Sequence, residues 1–160
     1  VHDVEDPDVP VIPESRILSH QEVALPADVK QAFGEESVSH CIKLERVRLW
    51  SGDPLLFEEI YLRLPDFNGL LSLNPKAMGP LLYPVFLEEF GILISSATDE
   101  LSFGTATKAS AKHLELATGA PVAAIQRIAR NPAGRVIEFR RVHGRPERFR
   151  YRVTLGDQPA

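Results

Sequence analysis

A chain of 160 residues that is 44% hydrophobic can build one core of ordinary size, so a single domain is expected. Its formal net charge of −4 argues against a dedicated nucleic-acid binder, which carries a basic excess. The lone cysteine, Cys41, excludes an internal disulfide and a cysteine-built metal site, and no apolar run approaches the length of a membrane span. A reducing, cytoplasmic setting with no membrane contact is therefore expected. The first residue is Val1 rather than Met, as in a piece of a longer protein.

Residues 1–14 are acidic and proline-bearing and predict an extended linker. Arg16 to Leu25 has the content of a strand, and Ala27 to Phe33 that of a short helix with Gly34 as its αL stop. Ser37 to Trp50 and Pro54 to Leu64 predict two strands joined through Ser51-Gly52-Asp53-Pro54, which is turn chemistry. The second of these strands is apolar on much of both faces and should be central in the sheet. Ala77 to Phe90 follows a helical period, with Pro84 predicting either a kink or the true start. Ile92 to Ala106 reads as a long bent strand with a bulge or close backbone approach at Gly104. Lys108 to Thr118 reads as a helix capped by Thr107 and stopped by Gly119. Pro121 to Arg130 and Arg135 to Val142 predict a hairpin around Asn131-Pro132-Ala133-Gly134. Arg148 to Leu155 predicts a final strand. Hairpins with helices inserted between them mean an α+β fold on a mostly antiparallel sheet with flanking helices.

Arg46 and Arg48 alternate along one strand and so share a face, roughly 7 Å apart. If Trp50 faces Pro54, Arg46 lies opposite Glu58; a two-residue loop would instead set it opposite Glu59. Either register places an arginine pair beside a carboxylate, which is a pocket for a small anion or a surface cross-strand ion pair. Glu58 and Glu138 both lie among apolar neighbours, and a carboxylate on a core face requires a cationic or hydrogen-bonding partner. Nine of thirteen arginines fall between Arg127 and Arg152. On strands, Arg140 and Arg141 point to opposite faces, so this cluster is split between a solvated face and groups that can line an anion pocket. The histidines lack metal-ligand spacing, nucleophile motifs and phosphate loops do not occur, and no metal or cofactor is expected.

Six segments in order carry a resemblance: SRILSH at Ser15–His20, LERVRLWSGDPLLFEEIYL at Leu44–Leu62, LLYPVFLEEFG at Leu81–Gly91, ATDELSFGTA at Ala97–Ala106, LELATGAPVAAIQRIARNPAGRVIEF at Leu114–Phe139 and RPERFRYRV at Arg145–Val153. Over them the chain resembles the UTRA effector-binding domain of GntR transcription regulators of the HutC kind. The resemblance implies a chorismate-lyase-like fold over residues 15–155, with residues 1–14 as a linker remnant and 156–160 as a tail. It implies a ligand-sensing domain that binds a small anionic metabolite, a homodimer, and DNA contact only through a winged helix-turn-helix outside this chain. By position it assigns ligand binding to Arg46, Arg48, Glu58 and Glu138, and the candidate set is completed by Tyr83 and Arg140. Leu81 and Gly144 stand where phosphosugar-binding members carry serine and tyrosine, so a carboxylate-bearing or more apolar effector fits as well. The alternative on the same fold is a pyruvate-releasing lyase, with the arginines holding carboxylates and Glu138 moving a proton.

Overall fold

The computed structural model describes residues 12–34 and 39–156. Its elements are β1 (Glu14–Ala24), α1 (Ala27–Phe33), β2 (His40–Trp50), β3 (Asp53–Arg63), α2 (Leu82–Phe90), β4 (Ser96–Thr105), α3 (Lys108–Leu114), β5 (Pro121–Arg130) and β6 (Val136–Gly144). The described strands form one antiparallel sheet in the order β1-β2-β3-β6-β5-β4. This is the α+β architecture expected, and β3 lies at its centre. Residues 1–11 of the expected linker lie outside the described residues, and Glu14 already belongs to β1.

One face of the sheet carries Ile42, Leu44, Ile60 and Leu62, which pack under Leu82 and Phe86 of α2 together with Phe67, Leu70 and Met78 of the loop before it. The opposite face carries Cys41, Tyr61 and Phe139 against Val29 and Phe33 of α1. On that same face Phe57 stacks on His113 of α3, with ring centroids 5.2 Å apart. Burial pushes the Cys41 thiol up to about 11, aided by the Glu22 charge and offset by Lys43, so it is an inert core group.

The β2–β3 turn is built from two residues, Ser51 and Gly52, with φ of 49° and 82°, as a type I′ hairpin requires. Trp50 pairs with Asp53 and Leu49 with Pro54, so the Trp50–Pro54 pairing anticipated from the sequence does not form. Leu55 is then an extra residue on β3, and beyond it Arg48 meets Leu56 and Arg46 meets Glu58. The bulge thus produces the Arg46–Glu58 pairing by a different route from the one anticipated. The Leu55 carbonyl accepts the Arg145 N–H at 3.2 Å.

Several boundaries differ from expectation. Helix α2 begins at Leu82, with Pro84 in its first turn, where a backbone N–H has no partner inside the helix and its absence costs nothing. Residues 92–95 precede β4 without strand structure, and β4 pairs with β5 in unbroken register through Gly104, which is therefore no bulge. Helix α3 ends at Leu114 because Glu115 takes the αL conformation (φ 57°), short of Gly119. Gly34 has positive φ but extended ψ rather than αL. The final strand expected at Arg148–Leu155 does not form: residues 146–148 make a single 3-10 turn and 149–155 run without regular structure. The physical reason is position. β6 lies between β3 and β5, so the chain leaves the sheet at its centre, where no strand edge is open to the next residues.

Candidate functional site

Beyond Leu44, the row of β2 residues beneath α2 continues into Arg46 and Arg48. The register sets Glu58 opposite Arg46, and on the next row it aligns Ile60 of β3, Arg140 of β6, Arg127 of β5 and Asp99 of β4. Leu62, Glu138 and Ala129 form the row after that. Five adjacent strands therefore deliver charged side chains to one patch of an otherwise apolar face.

The patch is tightly paired. Arg46 Nε donates to Glu58 Oε2 at 2.5 Å, and Arg140 Nη1 lies 3.6 Å from Glu58 Oε1. Arg140 Nε donates to Glu138 Oε1 at 2.5 Å. Arg127 clasps Asp99 with two bonds of 2.7 and 2.9 Å, and its Nη1 donates to the Tyr83 hydroxyl at 3.4 Å. Tyr83, from the first turn of α2, also receives the Arg140 guanidinium over its ring at 5.7 Å. Arg46, Glu58 and Glu138 are 1%, 3% and 0% exposed, so the surface ion-pair reading of the hairpin does not apply.

The electrostatics follow from this crowding. Burial alone would raise the Glu58 carboxyl, but the charges of Arg140 and Arg46 outweigh it and hold the group below its ordinary value. Burial lowers Arg140, and Glu138 and Glu58 reverse that and raise it. Arg48 is pushed down to about 10 by burial and by Arg46, with Glu58 only partly offsetting. Burial and the Glu138 charge raise Tyr83 to about 12, against the pull of Arg140 and Arg127, so its O–H stays on. Four guanidinium groups (Arg46, Arg48, Arg127, Arg140) face three carboxylates (Glu58, Glu138, Asp99), which leaves one formal positive charge.

A cavity of about 340 Å³ opens between this patch and the start of α2. Its floor is Arg46, Arg48, Arg127 and Arg140, and its roof is residues 80–84. Of the candidates drawn from the sequence, Arg46, Arg48, Tyr83 and Arg140 line the cavity, while Glu58 and Glu138 lie against the arginines without joining the lining. Leu81, in place of the serine, lines the roof. A Cβ at Gly144 would sit 3.0 Å from Leu56 Cδ2, so space that a tyrosine would need is taken. Among the described residues, Arg48 Nε is buried without a hydrogen-bond partner, as is Glu138 Oε2. Among the described residues, no group of three His, Cys, Asp or Glu is placed to hold a metal ion.

Sequence reasoning did not single out Arg127 or Asp99. Arg127 alternates with Ile125 and Ala129 in a strand whose alternate positions are apolar, which marks it as facing the covered side. Asp99 carried no such signal; only its pairing with Arg127 across β4 and β5 places it.

The UTRA domain family matches residues 11–150. The HTH-type transcriptional regulator Rv0792c of Mycobacterium tuberculosis is 33% identical over 149 residues, covering 91% of this chain and 53% of that protein, so the chain spans about half the length of this relative. The crystal structure of a protein named as a transcriptional regulator from Streptomyces coelicolor superposes with a TM-score of 0.78 at 25% identity, covering 92% of this chain and 95% of the other. The ligand-binding domain of a GntR-family regulator from Bordetella bronchiseptica shares the fold, with a TM-score of 0.77 at 24% identity over 93% and 94% of the two chains.

Proposed function

The chain belongs to the UTRA domain family, and from that premise we propose that it is the effector-binding domain of a GntR/HutC-type transcription regulator, taking a small anionic metabolite into the arginine-floored cavity. The observation that carries this reading is the surplus positive charge of the patch together with Arg48 of the cavity floor, whose buried Nε has no partner among the described residues. A guanidinium matches a carboxylate or phosphate in a two-pronged geometry, and a buried one with an unused donor gains most from such a partner. Arg140 and Arg127 supply further positive potential, and Tyr83 offers a neutral O–H. Glu58 and Glu138 aim the arginines and absorb part of their charge, leaving the remainder for the ligand.

The naming of relatives as transcriptional regulators supports sensing over turnover. In this reading the effector is released unchanged, DNA is contacted by a winged helix-turn-helix outside these residues, and the regulator works as a cytoplasmic homodimer. Among the described residues, no helix is long and apolar enough to cross a membrane. Effector binding shifts the regulator between states only as far as its affinities for them differ, about 1.4 kcal/mol for a tenfold change in DNA affinity.

Calorimetric titration of the wild-type chain and the Arg48→Ala variant with inorganic phosphate and citrate tests the site. Loss of one charged hydrogen-bonding group should weaken binding by about tenfold or more. Equal affinities for the two proteins would remove Arg48, and the site built on it, from the proposal.

A further inference from the structure

The arginines of the cavity floor also hold the chain segment that leads into β1. Arg48 Nη2 donates to the Pro13 carbonyl at 3.0 Å, and Arg46 Nη1 reaches the Ser15 hydroxyl at 3.5 Å. Pro13 is buried while Ile12 beside it is 60% exposed. From Glu14 onward the β1–β2 ladder holds the backbone, with Glu14 opposite Leu49 and Ser15 opposite Arg48. Residues 12 and 13 lie outside that ladder, and the Arg48 bond ties Pro13 to the cavity floor.

One of the two edges by which a guanidinium closes on a carboxylate or phosphate bears Nε and Nη2. In Arg48, Nε has no partner and Nη2 holds Pro13. We infer that Arg48 is a latch: an anion closing on its Nε–Nη2 edge takes Nη2 from the Pro13 carbonyl and frees residues 12 and 13 from the cavity floor. This rests on the reading of the cavity as an anion site and names the atom through which occupancy reaches the rest of the chain. The exchange is favourable because an anion answers both the unused donor and the repulsion that Arg46 and Arg140 exert on Arg48, which a neutral carbonyl cannot do. Arg46 cannot serve the same role, because its Nε is already committed to Glu58.

A nitroxide label on an Ile12→Cys variant of the 160-residue chain reads the latch directly. Cys41 is fully buried with its thiol held protonated, so labelling is confined to position 12. In the unliganded protein the label should give broadened lines, and phosphate or citrate, at concentrations saturating by calorimetry, should shift the spectrum toward the narrow lines of a free segment. Adding Arg48→Ala should give the narrow lines without any anion and no further change with it. Arg48→Gln, which keeps side-chain bulk, should behave the same way, and thermal melts confirm that each variant is folded. A label in either variant as immobile as in the parent protein would show that Arg48 does not hold the segment. Anion bound by calorimetry with an unmoved label would overturn the displacement while leaving the anion site intact. Absence of binding by either anion would overturn the anion site itself, and the displacement with it.

Discussion

Glu58 lies between two guanidinium groups, with Oε2 on Arg46 and Oε1 facing Arg140. Replacing it by glutamine keeps the shape and removes the charge, leaving two buried arginines to repel each other. Breaking a buried pair in this way costs about 3 kcal/mol, which corresponds to a melting temperature lower by roughly 10 °C for a chain of this size. The pH dependence has a definite sign. Because the folded carboxyl lies below its usual 4.5, its contribution is fully present above that value and is lost as pH falls through the folded value. Glu58→Gln should therefore melt lower at neutral pH and show a flatter acid limb below about pH 4.5, measured by calorimetric scans across pH. At this scale much was legible in sequence. Arg46, Arg48, Glu58 and Glu138 stood out as charges in apolar strands, with a pocket and a surface pairing both open, and all four are buried. Asp99 did not, because it is an exposed residue on an edge strand whose only distinction is the arginine across from it.

Helix α3 shows how a short element is held by its ends. Thr107 Oγ1 accepts the Ser110 N–H at 3.1 Å and Ser110 Oγ accepts the Thr107 N–H at 2.9 Å, a reciprocal cap on a seven-residue helix too short to persist alone. The Ser110 hydroxyl also meets His143 Nδ1 at 2.9 Å, tying the cap to β6. Thr107→Ala should cost about 1 kcal/mol and Ser110→Ala about 2 kcal/mol, the second also leaving a half-buried imidazole nitrogen without its partner; urea titrations of both variants give the ordering. The capping threonine was visible in the sequence, and so were the paired strands of both hairpins, since turn chemistry and alternation are local. The end of α3 was not visible: Glu115 stops the helix in a conformation unusual for glutamate, and only its packing context selects it. The strand expected at Arg148–Leu155 has the alternation of a strand and lacks a neighbour to pair with.

At the scale of the molecule the sheet is two halves, β1-β2-β3 and β6-β5-β4, joined along the β3–β6 seam. Each half is a succession of neighbours in the chain or nearly so, whereas the seam joins residues about 80 positions apart, as Glu59 with Arg141 shows. The charged patch straddles that seam: Arg46, Arg48 and Glu58 come from one half, and Glu138, Arg140 and Arg127 from the other. Local signals therefore revealed each half of the site separately, and only the non-local pairing brought Glu58 against Arg140. The Leu55 bulge absorbs one residue between the hairpin tip and the arginine rows, because Leu49 meets Pro54 on one side of it and Arg48 meets Leu56 on the other. Removing Leu55 leaves both pairings in step, so a one-residue deletion there should keep Arg46 opposite Glu58 and keep anion affinity by calorimetry, while forfeiting the carbonyl that anchors Arg145. The hairpin tip is thus a place where sequence length can be edited without rewriting the chemistry behind it.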